Sequence, residues 1–159
     1  MVNKKVKPLS GLKKILRQFK RKNKRIVFTN GCFDILHRGH VEYLQKAKSL
    51  GDILIVGINS DASVKKLKGK GRPINTQADR AKILASLEFV DFVTIFDEET
   101  PLNLINEVRP DILAKGGDWK AEEIVGGNCV RSYGGRVAVI NFLKGYSTTK
   151  LLNAIKKRI

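Results

Sequence analysis

The sequence is poor in the features that mark secreted, membrane-embedded and disulfide-stabilised proteins. Its two cysteines, Cys32 and Cys129, form no metal-type pair, and an unpaired thiol of this kind is usually a buried filler. No apolar run approaches the roughly 20 residues that a membrane span needs. The amino terminus is basic but lacks the apolar core of a secretory signal. We therefore expect a cytoplasmic protein without a membrane span.

Acidic residues are also scarce, with 15 Asp and Glu against 31 Lys and Arg, for a net charge of +16. Residues 1–25 hold 11 of the basic side chains and no acidic one, so the remainder has only a modest positive excess. Within this segment, apolar residues at positions 9, 12, 16 and 19 recur at helical spacing. The pattern predicts a basic amphipathic helix or arm over 1–24, packed on a domain at 25–159. Binding of RNA or of an anionic membrane by this arm is the less favoured alternative.

The 159 residues suffice for one domain with a substantial core. Short apolar runs alternate with helical patterns, which predicts a Rossmann-like, doubly wound α/β fold with a five-stranded parallel sheet. The predicted strands are 26–28, 52–58, 92–96, 112–114 and 136–142. The predicted helices are 41–50, 76–87, one from Pro101, 125–133 and 147–158, with a basic loop that carries Lys65, Lys66, Lys68 and Lys70. Polar, glycine-bearing stretches follow four of the strands, where such sheets bind ligands.

Both histidines of the chain lie in one stretch, RIVFTNGCFDILHRGH, at 25–40. The first strand ends in a turn at Asn30 and Gly31, and His37 and His40 then bracket Gly39 at the start of a helix. Free N–H groups and the positive end of the helix dipole attract anions there. Imidazoles can donate hydrogen bonds to phosphoryl oxygens in a transition state. Two histidines that merely share a helix face are the structural alternative, and we favour the phosphate site.

The segment TNGCFDILHRGH resembles the T-x-G-x-F-D-x-x-H-x-G-H motif of the cytidylyltransferase-like nucleotidyltransferases. Every fixed position of that motif is filled, namely by Thr29, Gly31, Phe33, Asp34, His37, Gly39 and His40. The resemblance implies nucleotidyl transfer, with His37 and His40 as catalytic residues and the other five positions binding the nucleotide. Asp34 is expected to orient the site, and its direct ligation of a metal is left open.

A second segment, GYSTT, resembles the closing motif of the family, R-T-x-G-I-S-T-T, through Gly145 and three hydroxyl residues. The resemblance implies that Ser147, Thr148 and Thr149 bind the β- and γ-phosphates. The leading arginine of the motif falls on Phe142 here, and Lys144 is an alternative source of its charge. The family also places a catalytic lysine at Lys68, on a flexible loop, and a phosphate-binding arginine at Arg80.

Further segments (NSDASVKKLKGKGRPIN, PDILAKGGDW, EEIVGG) are similar to the adenylyltransferases of D-glycero-D-manno-heptose 1-phosphate, from about residue 10 to the carboxyl terminus. The similarity implies transfer of AMP from ATP to that sugar phosphate, with Mg²⁺ on the triphosphate, and favours the stand-alone form of the enzyme. It also implies a homo-oligomer. Nucleotide contacts are expected at Gly116, Gly117 and Asp118, and acceptor contacts at Lys115, Asn59 and Asp61.

Two alternatives remain open. A CTP-dependent cytidylyltransferase acting on glycerol 3-phosphate would share the histidine and Ser-Thr motifs. A nucleic-acid-binding protein would use the basic arm, bind with a steep salt dependence and turn over no nucleotide. The second alternative does not explain the positions of the histidines.

Overall fold

The computed structural model describes residues 4–117 and 119–158 of the chain. Its centre is a sheet of five parallel strands in the order β3-β2-β1-β4-β5. The strands are β1 (Ile26–Gly31), β2 (Ile53–Asn59), β3 (Phe92–Phe96), β4 (Ile112–Gly116) and β5 (Arg136–Ile140). The predicted Rossmann-like α/β fold is confirmed. The strand order reverses direction at β1, so β1 lies at the switch point where such sheets bind ligands.

Helices cover both faces of this sheet. They are α1 (Leu9–Arg21), α2 (Arg38–Ser49), α3 (Asp61–Lys68), α4 (Gln77–Ala85), α5 (Leu102–Val108), α6 (Gly127–Ser132) and α7 (Thr148–Lys156), with a short 3₁₀ helix at Ala121–Glu123. Every residue of β2 is buried, as expected for a central parallel strand covered on both sides. Among the described residues, no helix combines the length and the apolar character needed to cross a membrane.

Two apolar cores lie on opposite faces of the sheet, because successive strand side chains point to opposite sides. In β1, Val27 belongs to the core beneath α2 and α4, whereas Ile26 and Phe28 belong to the core beneath α1, α5 and α6. The sequence pattern alone identified buried strands. The split of their side chains between two cores follows from the pleat.

The basic amino-terminal helix is part of the second core. Leu12 and Leu16 are buried beside α5, and the outward side chain of Lys13 forms an ion pair with Glu107. Ahead of the helix, the backbone at Val6 bridges to β3. The amphipathic helix predicted over residues 1–24 therefore packs on the sheet within residues 4–24, and most of its cations face solvent.

Replacing Leu12 with alanine should lower the free energy of unfolding by about 2–5 kcal/mol, because it removes a fully buried side chain and leaves a cavity. Chemical denaturation checks this. Ile83→Ala, on the exposed side of α4, is the matched control and should change little. Equal effects of the two substitutions would mean that α1 is a dispensable arm.

The prediction of a basic loop after β2 is wrong for most of the segment. Residues 61–68 form α3, and Ser60 caps this helix by accepting a hydrogen bond from the backbone N–H of Ser63. Lys65, Lys66 and Lys68 lie in the last turn, where the helix dipole favours cations. Lys70 follows the helix. Residues 59–61 carry two signals, since they end a strand and Ser60 also caps a helix, and the prediction used only the first.

The remaining boundaries differ by a few residues. The last strand ends at Ile140, two residues before its predicted end, and the helix predicted at 125–133 spans only Gly127–Ser132. Phe142 is therefore free of the sheet, which places its ring over the carboxyl edge of β4.

Candidate active site

The two histidines lie together at the carboxyl end of β1. His37 is the N-cap residue of α2, with extended backbone angles, and His40 lies in the first turn of that helix. Their rings are stacked, with centroids 3.8 Å apart and planes 20° from parallel. A side chain at Gly39 would come within 3.1 Å of both the His37 ring and Tyr146, so the glycine allows this close packing.

Burial controls the charge of the pair. It lowers the pKa of His40 to about 4, with a smaller contribution from the nearby His37, and it also lowers the pKa of His37. Both rings are therefore neutral at pH 7. The Nδ1 atom of each ring is buried and has no hydrogen-bond partner among the described residues. An anionic ligand beside the rings would raise their pKa and favour protonation.

Thr29, Gly31 and Phe33 pack around this pair. The Phe33 ring meets the His40 ring edge-on at 5.3 Å, and its backbone takes a left-handed conformation with φ of 46°. A side chain at Gly31 would approach the Phe33 ring to 3.0 Å. Thr29 is fully buried, and its hydroxyl shares a 2.6 Å hydrogen bond with the hydroxyl of Tyr43. Among these three residues, Phe33 contacts a histidine ring directly, and nucleotide contact by all three stays a prediction.

Asp34 holds a second segment against the motif. Its buried carboxylate accepts hydrogen bonds from the backbone N–H groups of Ile74 and Asn75 and a 2.6 Å bond from Nε of Arg72. Burial would raise the pKa of this carboxyl, but the bonds outweigh burial and the pKa lies below its usual value. Asp34 thus acts on the site by orienting the chain.

Arg80 is buried beneath the site and contacts other protein groups. It is 1% exposed, and its guanidinium donates to the carbonyl oxygens of Cys32 and Asn75 and to a carboxylate oxygen of Asp61. The sequence could not distinguish this position from an exposed helix arginine. The guanidinium ties α4 to the histidine motif and to the start of α3, and the predicted phosphate contact of Arg80 stays a prediction.

A cavity of about 470 Å³ opens between the carboxyl ends of β1, β2 and β4. Its polar wall includes Asn59, Lys68 and Lys115, three of the predicted site residues. Lys115 is largely buried, donates a 3.3 Å hydrogen bond to Asn30, and has its pKa lowered by burial. Asp61 does not line this cavity, and its carboxylate is bonded to Arg80.

A smaller cavity of about 300 Å³ adjoins the first and shares Asn30, Gly31, Cys32, Lys115 and Trp119 with it. The rest of its wall consists of Phe33, His40, Tyr43, Gly116 and Phe142. A side chain at Gly116 would come within 2.4 Å of the Phe142 ring, and Gly117 has a φ of 114°, which favours glycine. Asp118 lies outside the described residues.

Cys32 lies on the wall that the two cavities share. Burial raises the pKa of its thiol, so the thiol stays protonated and is a poor nucleophile at neutral pH. Its Sγ contacts the amide oxygen of Asn59 at 3.8 Å. This environment does not favour a catalytic role for Cys32.

The closing motif reaches the histidines from the other side. The ring centroid of Tyr146 lies 6.5 Å from that of His37, and the Arg38 guanidinium lies 6.0 Å from the Tyr146 ring. Ser147 caps α7 by accepting a hydrogen bond from the N–H of Lys150, and Thr148 and Thr149 form the first turn. Two helix N-termini, those of α2 and α7, thus lie beside the histidine pair.

Three aromatic residues of the site were missed by the sequence reasoning: Tyr43, Trp119 and Phe142. Tyr43 and Phe142 meet edge-on at 6.0 Å beside the smaller cavity. Tyr43 follows the histidine motif by three residues on one helix face, and that spacing could have identified it. The position of Phe142 depends on where β5 ends, which the sequence did not fix.

Metal ligands are sparse in this region. Residues 4–117 and 119–158 contain no group of three or more His, Cys, Asp or Glu side chains placed to hold a metal ion. Mg²⁺ on the triphosphate stays a prediction, and this ion is commonly held by phosphate oxygens and water with few protein ligands.

Another cavity, of about 540 Å³, lies elsewhere. Lys20, Arg25, Arg109 and Asp111 line it, and Arg25 and Asp111 directly precede β1 and β4. It is therefore at the amino edge of the sheet, the opposite edge from the histidines, and does not belong to the candidate site.

A parallel α/β sheet with a neutral histidine pair and two helix N-termini at its carboxyl edge is the arrangement of an enzyme that handles phosphate esters. Residues 28–154 match the family model described as cytidylyltransferase-like. The match covers most of the chain, so the chain belongs to the cytidylyltransferase-like family and is a nucleotidyltransferase enzyme.

Curated relatives narrow the comparison. The bifunctional protein HldE of Geobacter metallireducens is 56% identical over 151 residues, which are 95% of this chain and 31% of that protein. The HldE protein of Campylobacter fetus subsp. fetus is 60% identical over 136 residues, which are 86% of this chain and 29% of that protein. The chain thus spans about a third of the length of these relatives.

Two solved structures share the fold. A lipopolysaccharide core biosynthesis protein from Thermoplasma volcanium GSS1 has a TM-score of 0.64 and 31% identity, over 78% of this chain and 99% of that one. A pantoate-beta-alanine ligase from Francisella tularensis, complexed with beta-gamma ATP and beta-alanine, also has a TM-score of 0.64. The match covers 95% of this chain and 76% of the ligase chain, and because the identity is 17% it shows the fold alone.

Proposed function

We propose that this protein transfers AMP from ATP to D-glycero-D-manno-heptose 1-phosphate, giving ADP-heptose and pyrophosphate. The observation that carries the proposal is the stacked pair His37 and His40, neutral and with unpartnered buried nitrogens, beside two adjoining cavities. Similarity to HldE proteins, and to a lipopolysaccharide core biosynthesis protein, supports the heptose assignment. ATP as the donor is consistent with the expected cytoplasmic location.

The reaction is a direct in-line displacement. A phosphate oxygen of the acceptor attacks the α-phosphorus of ATP, the new P–O bond forms, and the bond to the β-phosphate bridging oxygen breaks with release of pyrophosphate. The attacking oxygen is already ionised at neutral pH, so no general base is required. Catalysis is then positioning and charge stabilisation, as in other phosphoryl transfers.

The histidines act on the α-phosphate. As negative charge increases on its oxygens, the imidazoles of His37 and His40 donate hydrogen bonds to them, and the N-terminus of α2 adds its dipole. Burial makes these interactions stronger than they would be in water. Burial, with a smaller contribution from His37, lowers the pKa of His40 in the free protein to about 4, so the ring is neutral before a nucleotide binds.

The leaving group is pyrophosphate, and residues at the ends of two helices would bind it. Lys68, in the last turn of α3, and the hydroxyl residues Ser147, Thr148 and Thr149 at the start of α7 would contact the β- and γ-phosphates. Mg²⁺ would be carried mainly by phosphate oxygens and water, where it neutralises charge on the leaving pyrophosphate.

The two cavities divide the substrates. The nucleotide suits the 300 Å³ cavity, because His40 and the close-packed Gly116 line it. The acceptor suits the 470 Å³ cavity, because Lys115 and Asn59 give it a cation and an amide for a sugar phosphate. Lys115 lies on both walls, so it can contact the phosphate that attacks.

Pyrophosphate release measured with ATP or CTP, against a panel of sugar and polyol phosphates, tests the proposal. We expect turnover with ATP and at least one of the two anomers of the heptose 1-phosphate. With CTP we expect kcat/KM to be at least tenfold lower. A preference for CTP and glycerol 3-phosphate would replace the proposal with the cytidylyltransferase alternative. The predicted homo-oligomer is checked on the same samples by sedimentation.

A further inference from the structure

We propose that Glu99 and Glu123 make the acceptor cavity selective for a sugar that carries a single phosphate and exclude sugar bisphosphates. The acceptor cavity is the 470 Å³ cavity, and the inference rests on the proposed function. The ligand class is a polyhydroxylated sugar monophosphate whose far end is uncharged.

The cations of the acceptor cavity suit one phosphate. Two lysines line it, Lys115 in β4 and Lys68 at the end of α3, and Lys68 is assigned above to the β- and γ-phosphates of ATP. The Lys115 side chain is largely buried, and its described hydrogen bond is to a neutral amide, that of Asn30. A phosphate beside it would compensate for the lost hydration of the ammonium group. With Lys68 assigned to the nucleotide, Lys115 is the cation left for one acceptor phosphate, and no cation among the described residues that line the cavity is left for a second.

The remaining charged side chains of the cavity are acidic. Glu99 follows β3, Glu123 ends the 3₁₀ helix, and both line the cavity from its exposed rim. Neither carboxylate forms an ion pair with another described residue. Carboxylates of this kind accept hydrogen bonds from sugar hydroxyls and repel a second phosphate.

Apolar side chains complete the same wall. Trp119 is 51% exposed, Leu67 48% and Val125 45%, and all three line this cavity. An exposed indole can pack against the C–H face of a sugar ring, which leaves the hydroxyl edges for the carboxylates. The wall therefore suits a sugar ring with several hydroxyls.

The test compares two acceptors that differ by one phosphate. With ATP, kcat/KM is measured for mannose 1-phosphate and mannose 1,6-bisphosphate, as probes, in the wild-type protein and in Glu99→Gln, Glu123→Gln and the double variant. We expect the wild type to favour the monophosphate by about 100-fold, and each substitution to reduce that ratio about tenfold, since it removes one like charge. KM for ATP should stay unchanged.

Neighbouring glutamates provide matched controls. Glu98→Gln and Glu122→Gln change exposed carboxylates one residue away that do not line the cavity, so the ratio should stay at its wild-type value. An unchanged ratio in the double variant, or an equal change in the controls, overturns the inference.

Failure of the proposed function gives a different result. If the wild type turns over no sugar phosphate, the proposed function fails, and the inference is then decided by calorimetric binding of the same two acceptors. Tighter binding of the bisphosphate than of the monophosphate in the wild type would overturn the inference. Weaker binding of the bisphosphate than of the monophosphate in the wild type, with bisphosphate binding restored in the double variant, would support the inference.

Discussion

His40→Ala and His37→Ala are each expected to lower kcat by about 10²–10³, the usual cost of removing one preorganised donor to a developing anion. The two rings are stacked in direct contact, so the double variant should lose less than the product of the two single losses. Pyrophosphate release under saturating substrates measures the effect.

The fold should survive these substitutions, because the histidines lie at the carboxyl edge of the sheet, outside both apolar cores. Circular dichroism and the unfolding midpoint verify this. Gln45→Ala, on the exposed side of the same helix α2, is the control and should keep full activity. Near-normal turnover in both single variants would remove the catalytic assignment.

Asp34→Ala should destabilise the protein by about 3–5 kcal/mol, the usual cost of breaking a buried ion pair. The Asp34 side chain is 1% exposed and that of Arg72 is 21% exposed, so the substitution leaves a partly buried cation and two backbone N–H groups without their acceptor. Thermal and urea denaturation measure the loss. Asp97→Ala, at an exposed position after β3, should change stability by less than about 0.5 kcal/mol.

The pH dependence of the same variant gives an independent check. The folded-state pKa of Asp34 lies below its ordinary value, so the carboxylate contributes stability that is fully present above about pH 4 and is lost as the pH falls through the folded pKa. The wild type should lose this contribution on acidification, whereas Asp34→Ala should not. Parallel pH profiles of the two proteins would contradict the role assigned to the carboxylate.

Much of the site could be predicted because the histidine motif is one continuous segment of the sequence. Residues 29–40 form a strand end, a turn and a helix start, and this order brings His37 and His40 together without any long-range contact. The phosphate-site hypothesis therefore needed only the spacing of the residues. The parallel sheet could also be predicted, since alternating apolar runs and helical patterns are typical of it.

Other predictions failed where two local signals competed. Residues 60–68 carry both a strand-ending signal and a helix cap, and the basic loop was wrong because the cap at Ser60 prevailed. Lys68 consequently lies at the end of a helix, which fixes its position more firmly than a flexible loop would.

By itself the sequence determined the fold class, the strand order along the chain and the histidine pair, because hydrophobic periodicity and short-range spacing are properties of neighbouring residues. Only the tertiary structure decided that Asp34 and Arg80 are tied to protein groups, and that Phe142, Trp119, Glu99 and Glu123 surround the two cavities. These positions come from segments far apart in the chain. Their meeting depends on how the strands end at a common edge, and no local pattern encodes that.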